Sequence, residues 1–284
     1  MNMKSVFLRV HRLIAHSYFV RLVLAPIILA KRAVDRKKYR ESEDSKFIKE
    51  YHNKYVGNRC FIIGNGPSLI PEDLNLIINE ISFASNRIYK MYDKTKWRPT
   101  FYVCIDRQNL IDDIGIIKRM KGSIKLVAYY AKRYGRKKED ELHYILLSGK
   151  YTPNELKKIH GGGVVQSDIS MYTSSSQSVT CNMLEIAFYM GFKEIYLIGV
   201  DHNFPISIDR NGKKTVNNKL EGHFSGGGFL DKKIDFVYYD ALTDSYQLLA
   251  DYAKKNGIKV YNATRGGKLE VFERINLESI ISGD

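Results

Sequence analysis

From Asn58 to about Thr264, short apolar runs alternate with helix-forming segments, and this alternation restricts the fold more than any other feature of the chain. The runs "RCFIIGN", "ISFASN", "TFYVCID", "IKLVAYY", "ELHYILL", "EIYLIGVD" and "IKVYNAT" have strand length and are rich in β-branched and aromatic residues. "PEDLNLIINEI", Gln177–Phe192 and Phe236–Gly257 read as helices between them. Such a chain satisfies its backbone in a parallel sheet and covers the two apolar sheet faces with helices. The expectation is an α/β, Rossmann-like parallel sheet with helices on both faces. No internal repeat is visible.

In open parallel sheets ligands bind beyond the carboxyl ends of the strands. Four of the runs end there in a polar residue: Asn65, Asn86, Asp106 and Asp201. "YTSSSQSVT" adds Ser178 and Thr180 at the start of a helix. Together they describe a site for a nucleotide carrying phosphate. Each also has a plainer reading, Asn65 and Asn86 as turn residues and Asp106 and Ser178 as helix caps.

The first of these ends, "CFIIGNGPSLIPEDL", joins a strand to a helix through two glycines. Gly64 and Gly66 allow φ > 0 and the close approach of another molecule. Ser68 can cap a helix starting near Leu69, and the backbone N–H groups would face a phosphate. An ordinary strand-to-helix turn is the alternative, since the spacing is neither G-x-G-x-x-G nor a P-loop. Changing Asn65 or Gly66 is expected to weaken nucleotide binding and spare the fold.

A second cluster, "LEGHFSGGGFLD", sits in a long connection after Asp201, read as a lid-like loop over residues 203–234. His223 lies inside it and is the general-base candidate among the seven histidines, against a solvated loop histidine as the alternative. His202 merely follows Asp201.

Charge divides the chain. Residues 1–40 hold ten Lys and Arg against the single acid Asp35, a net +9 of the chain's +14. The remainder is mildly basic and carries no recognition motif for nucleic acid, so nucleic-acid binding is not expected. "SYFVRLVLAPIILA" is too short and too interrupted, by Arg21 and Pro26, to span a bilayer. Residues 1–40 read as a basic amphipathic helix on an anionic membrane face, or as a helix packed on protein or on a second copy of the chain. Residues 41–57 read as a charged linker or solvated helix, and 58–284 as the α/β domain. Cys60, Cys104 and Cys181 form no C-x-x-C pair, so zinc and a disulfide framework are not expected and a reducing cytoplasm is.

The ordered set "FIIGNGPSL", "FASNRIY", "FYVCID", "GFKEIYLIGVD" and "EGHFS" resembles glycosyltransferase family 42, bacterial sialyltransferases using CMP-activated sialic acid. It also resembles the wider superfamily of the unknown-function domain 115, which includes 6-hydroxymethylpterin diphosphokinases. The resemblance covers about residues 58–275 and implies a GT-A-variant-like single nucleotide-binding domain. By it, Asn65 would bind the donor's phosphate or sugar, Asn86 would contact the nucleotide and His223 would be the catalytic base; the residue pattern itself adds Gly64, Gly66 and Ser68 to the donor site and Asp201 to the catalytic residues. Departures are Asp106 in place of a donor-binding Asn, Ser178 and Val179 in place of a Thr-Ser pair, and Ser176 in place of an Arg. No tyrosines match the leaving-phosphate pair near Asn203 to Asp209, so Lys213, Lys214 or a metal would take that role.

Two activities are therefore expected. One is a glycosyltransferase moving a sugar, from a CMP-linked nucleotide sugar, to a glycan or glycolipid acceptor in bacterial surface glycan synthesis. It would sit at the inner face of the cytoplasmic membrane and need no resident cofactor. The alternative is a diphosphokinase-like phosphotransferase on a small acceptor, with Mg2+ held by Asp106 and Asp201. Removing residues 1–40 is expected to leave a folded domain that no longer sediments with anionic vesicles. Full-length protein that ignores such vesicles at low salt contradicts the membrane reading.

Overall fold

Strand β1, Arg59–Ile63, sends Cys60 and Ile62 to one face of a sheet and Phe61 and Ile63 to the other, and all four are buried. Burial on both sides is what its unbroken apolar run requires. The computed structural model describes residues 30–148, 165–174, 178–217, 219–220, 222–224 and 237–282.

Around β1 lie β2 (Ser82–Ser85), β3 (Phe101–Cys104), β4 (Ile124–Ala128), β5 (Leu142–Ile145), β6 (Glu194–Ile198), β10 (Lys259–Asn262) and β11 (Glu273–Arg274). They form one eight-stranded sheet in the order β11-β10-β6-β1-β2-β3-β4-β5, parallel at every pairing. The chain steps outward from β1 to β5, returns across the sheet to β6, and steps outward again. The order reverses between β1 and β6, which makes that crevice the topological switch point.

One face is covered by α4 (Val179–Tyr189) and α5 (Tyr239–Lys255), the other by α2 (Pro71–Leu76), α3 (Arg107–Arg119) and α6 (Leu277–Ser282). Helix α5 buries Leu242, Tyr246, Leu249 and Ala253, an i, i+4, i+7, i+11 stripe. Helix α4 is buried nearly all round, and its polar residues are consequently bonded. Glu185 accepts from Thr173 Oγ1 (2.6 Å) and Ser174 N–H (2.9 Å), and Asn182 donates to Ser174 O (2.7 Å).

Several expectations change. The helix after the first glycine turn stops at Leu76, before Ile77, Ile78 and Asn79, residues of low helix propensity. Helix α3, of which the sequence signals only the cap at Asp106, buries Leu110, Asp113 and Ile117 at helical spacing. The connection after Asp201 is partly ordered into a small sheet of β7 (Ile206–Ile208), β8 (Lys214–Val216) and β9 (Val237–Tyr238), in the order β8-β7-β9. Gly226, Gly227 and Gly228 lie outside the described residues.

The charged segment 41–57 packs on the domain instead of standing in solvent. Its helix α1, Glu43–Lys49, is capped by Ser42 and places Ile48 in the core at 0 % exposure. Asp44 accepts from the Arg136 guanidinium and from Tyr144 N–H (3.1 Å), tying α1 to β5. Phe47 stacks on His143, with ring centroids 3.4 Å apart. The charges read as a solvated run are the outer side of a helix whose inner side is apolar. Residues 30–40 are helical and Tyr39 is fully buried, so the end of the expected 1–40 arm packs on the domain; residues 1–29 lie outside the described residues. Among the described residues no helix is long and apolar enough to cross a membrane.

Ile48→Ala is expected to destabilise the domain by about 2–5 kcal/mol in urea unfolding, the cost of a core cavity. A change within about 0.5 kcal/mol, normal for a solvated position, would return the segment to the status of a linker.

Candidate functional site at the β1–β6 crevice

Two backbone turns meet at the switch point. Gly64 N–H donates to Ile198 O (2.8 Å) and Gly66 N–H donates to Gly199 O (2.9 Å). The fit leaves no room for side chains. A Cβ on Gly64 would stand 2.2 Å from Gly199 O, and one on Gly66 would stand 2.7 Å from the same oxygen. Neither Gly64 nor Gly66 has positive φ, whereas Gly199 does, at 66°. These glycines are therefore required by the molecule's own second turn. Their N–H groups are spent on it, which corrects the expectation that they face a phosphate. A change at Gly66 is also no longer expected to spare the fold.

Ser68 caps no helix, because α2 begins three residues later at Pro71, with Ile70 at its N-cap. Its hydroxyl donates instead to Asp201 Oδ2 (2.8 Å). Burial of Asp201 pushes its carboxyl above the usual range, opposed by the hydroxyl and N–H of Ser68. Asp201 O accepts from Lys268 N–H (2.7 Å), and Val200 N–H donates to Thr264 Oγ1 (3.0 Å), so a third loop closes the same knot.

Asn65 faces across to β2. Its Nδ2 donates to Ser85 O (3.1 Å), which leaves Oδ1 buried with no partner among the described residues. Its carbonyl accepts from Phe224 N–H (3.0 Å) and from His223 Nδ1 (3.2 Å). The fold thus brings His223 to the first glycine turn across 158 positions of sequence. A carbonyl can only accept, so Nδ1 carries the proton, and the neutral ring then has its lone pair on Nε2.

The remaining predicted residues hold structure. Asn86 has φ 50°, a conformation Asn tolerates, and its carbonyl accepts from Tyr102 OH (2.5 Å). Asp106 N-caps α3 by accepting from Asn109 N–H (2.7 Å). Ser178 N-caps α4 by accepting from Thr180 N–H (3.2 Å), and the Tyr246 hydroxyl reaches its Oγ at 3.4 Å. Strands β1 and β2 separate β6 from β3, so the ends leading to Asp201 and Asp106 stand three strand spacings apart, about 14 Å. One ion cannot bridge them, and among the described residues no three of His, Cys, Asp and Glu converge as a metal site. The residues present do not fit a magnesium ion held by that pair.

The sequence points to the loop histidine rather than His202, yet His202, next to Asp201, has 4 % exposure. Its place directly after a strand-ending acid was the only available signal.

A family described as 6-hydroxymethylpterin diphosphokinase MptE-like matches residues 36–207, from the helix before α1 through β7. No curated protein matches the chain.

Gly64→Ala is expected to destabilise the protein by at least about 1–3 kcal/mol, because the added methyl meets a backbone carbonyl. Ser68→Ala, which removes one partly exposed bond, should cost no more than about 1.5 kcal/mol. Equal unfolding midpoints for Gly64→Ala and wild type would refute the close-packed crossing.

Proposed function

The chain belongs to the 6-hydroxymethylpterin diphosphokinase MptE-like family, and on that premise we propose that it is a nucleotide-dependent transferase acting on a hydroxyl acceptor. The observation that carries the reading is His223 seated on the Asn65 carbonyl at the switch-point crevice. The nucleotide lies across the carboxyl ends of β6, β1 and β2, where such sheets take nucleotides. Nε2 of His223 takes the acceptor's proton as its oxygen attacks the activated group. The new bond forms to that oxygen, the bond to the nucleotide's leaving phosphate breaks, and the negative charge departs with the nucleotide. A positioned base of this kind is worth about 10² to 10⁴ in rate.

The family description favours a diphosphoryl group and a small hydroxymethyl acceptor. Transfer of a sugar from a CMP-linked donor is the second reading. It is favoured by the separation of Asp106 from Asp201, because it does not call on a magnesium ion bound by that pair. Residues 1–29 would bring the enzyme to an anionic membrane face in that second case.

Purified protein offered ATP with Mg2+ and 6-hydroxymethylpterin, or CMP-sialic acid with a glycan acceptor, is expected to release AMP or CMP respectively. His223→Ala should lower kcat by about 10²-fold or more with nucleotide affinity retained. Full activity of His223→Ala would remove this histidine from the reaction.

A further inference from the structure

His202 carries two costs that an ordinary core residue avoids. Its backbone is left-handed, at φ 51°, a region uncommon for any residue but glycine. Its ring is buried with one nitrogen unsatisfied. Phe204, Tyr239 and Tyr246 surround it, with ring centroids at 5.5, 4.5 and 5.6 Å.

The tautomer follows from the bonds. His202 Nε2 lies 2.8 Å from Thr243 Oγ1. The Thr243 hydroxyl already donates its one hydrogen to Tyr239 O (2.9 Å). Nε2 must therefore be the donor, and the neutral ring presents its lone pair at Nδ1. Nδ1 is closed to solvent and has no partner among the described residues. An unsatisfied buried acceptor is a net cost to the fold, and a phenylalanine of similar shape would not incur it.

We propose that His202 is a ligand-binding residue whose Nδ1 accepts a hydrogen bond from a hydroxyl or amino group of the nucleotide in the β1–β6 crevice. The inference rests on the nucleotide reading given above. His202 is the neighbour of Asp201, and so borders the knot of turns at the switch point. A phosphate has no hydrogen to give a neutral imidazole nitrogen, so the partner is a ribose or base group of the nucleotide. Burial holds the ring neutral by lowering its pKa to about 4, so the acceptor persists at physiological pH. The ligand group enters past Phe204 or Tyr239, the two partly exposed rings of the three.

The test uses the full chain and two probes, CMP and ATP with Mg2+. In calorimetric titration, His202→Gln should bind the nucleotide taken by wild type at least tenfold more weakly. The longer amide reaches the Nε2 position and keeps the Thr243 bond, but it leaves nothing at Nδ1. His202→Asn places an amide oxygen near Nδ1, suits left-handed backbone, and should recover most of the affinity. Nitrogen-15 NMR of histidine-labelled wild type removes dependence on the variants. The His202 Nδ1 resonance should move upfield when the probe saturates the protein. Wild-type affinity in a folded His202→Gln, equal losses in both variants, or an unmoved Nδ1 resonance on saturation would each overturn the proposal and leave nucleotide binding standing. Failure of wild type to bind either probe overturns the nucleotide reading itself, and this inference with it.

Discussion

The approach of Gly64 to Gly199 is the contact on which the rest of the crevice depends. Two turns from the two central strands cross with a backbone carbonyl where a Cβ would otherwise sit. That distance lets Gly64 and Gly66 give their N–H groups to Ile198 and Gly199. It also lets Ser68 reach Asp201 across 133 positions. A turn pinned in this way orients Asn65, whose side chain bonds β2 and whose carbonyl receives residues 223 and 224. The order of dependence is backbone crossing first, polar network second, histidine third.

Polar groups buried away from the crevice have a different task. Glu185 and Asn182 lie on a helix covered on every side, and burial raises the carboxyl of Glu185 against the hydrogen bonds it accepts. Their partners are Thr173, Ser174 and the backbone of Gln166, so the return crossing toward β6 is held by satisfied bonds as well as by packing. His143 is half-buried, its pKa lowered to about 4 by desolvation and by Arg136, and it stacks α1 on β5. His202 has a similarly lowered pKa, but its orphan nitrogen sets it apart from a packing residue. Depressed histidine basicity alone does not distinguish the two environments. The buried, unpartnered nitrogen of His202 does.

The functional reading changes in kind once the bonds are seen. A loop rich in glycine between a strand and a helix invites a phosphate cradle, yet the N–H groups of Gly64 and Gly66 have internal partners. The unpaired groups nearby are acceptors instead: Asn65 Oδ1, on the first glycine turn, and His202 Nδ1, next in sequence to Asp201, are both buried and without partners among the described residues.

The sequence by itself determined the α/β class, the strands of the main sheet save the two-residue β11, and which strand ends are polar. These are local properties: a run buried on both faces must be apolar throughout, and a chain leaving a sheet must turn with polar residues. It also placed the caps at Asp106 and Ser178, because a side-chain oxygen there satisfies N–H groups two or three residues on. Tertiary structure alone decided that Gly64 and Gly66 serve a neighbouring turn, that Ser68 pairs with Asp201 instead of capping a helix, and that residues 41–57 join the core. It alone made His202 a buried acceptor. In each of these cases the partner lies 41 or more positions away along the chain, as Thr243 does from His202. Local pattern fixes which groups are polar. Only the packed fold fixes which of them find partners, because pairing depends on distances that periodicity does not encode.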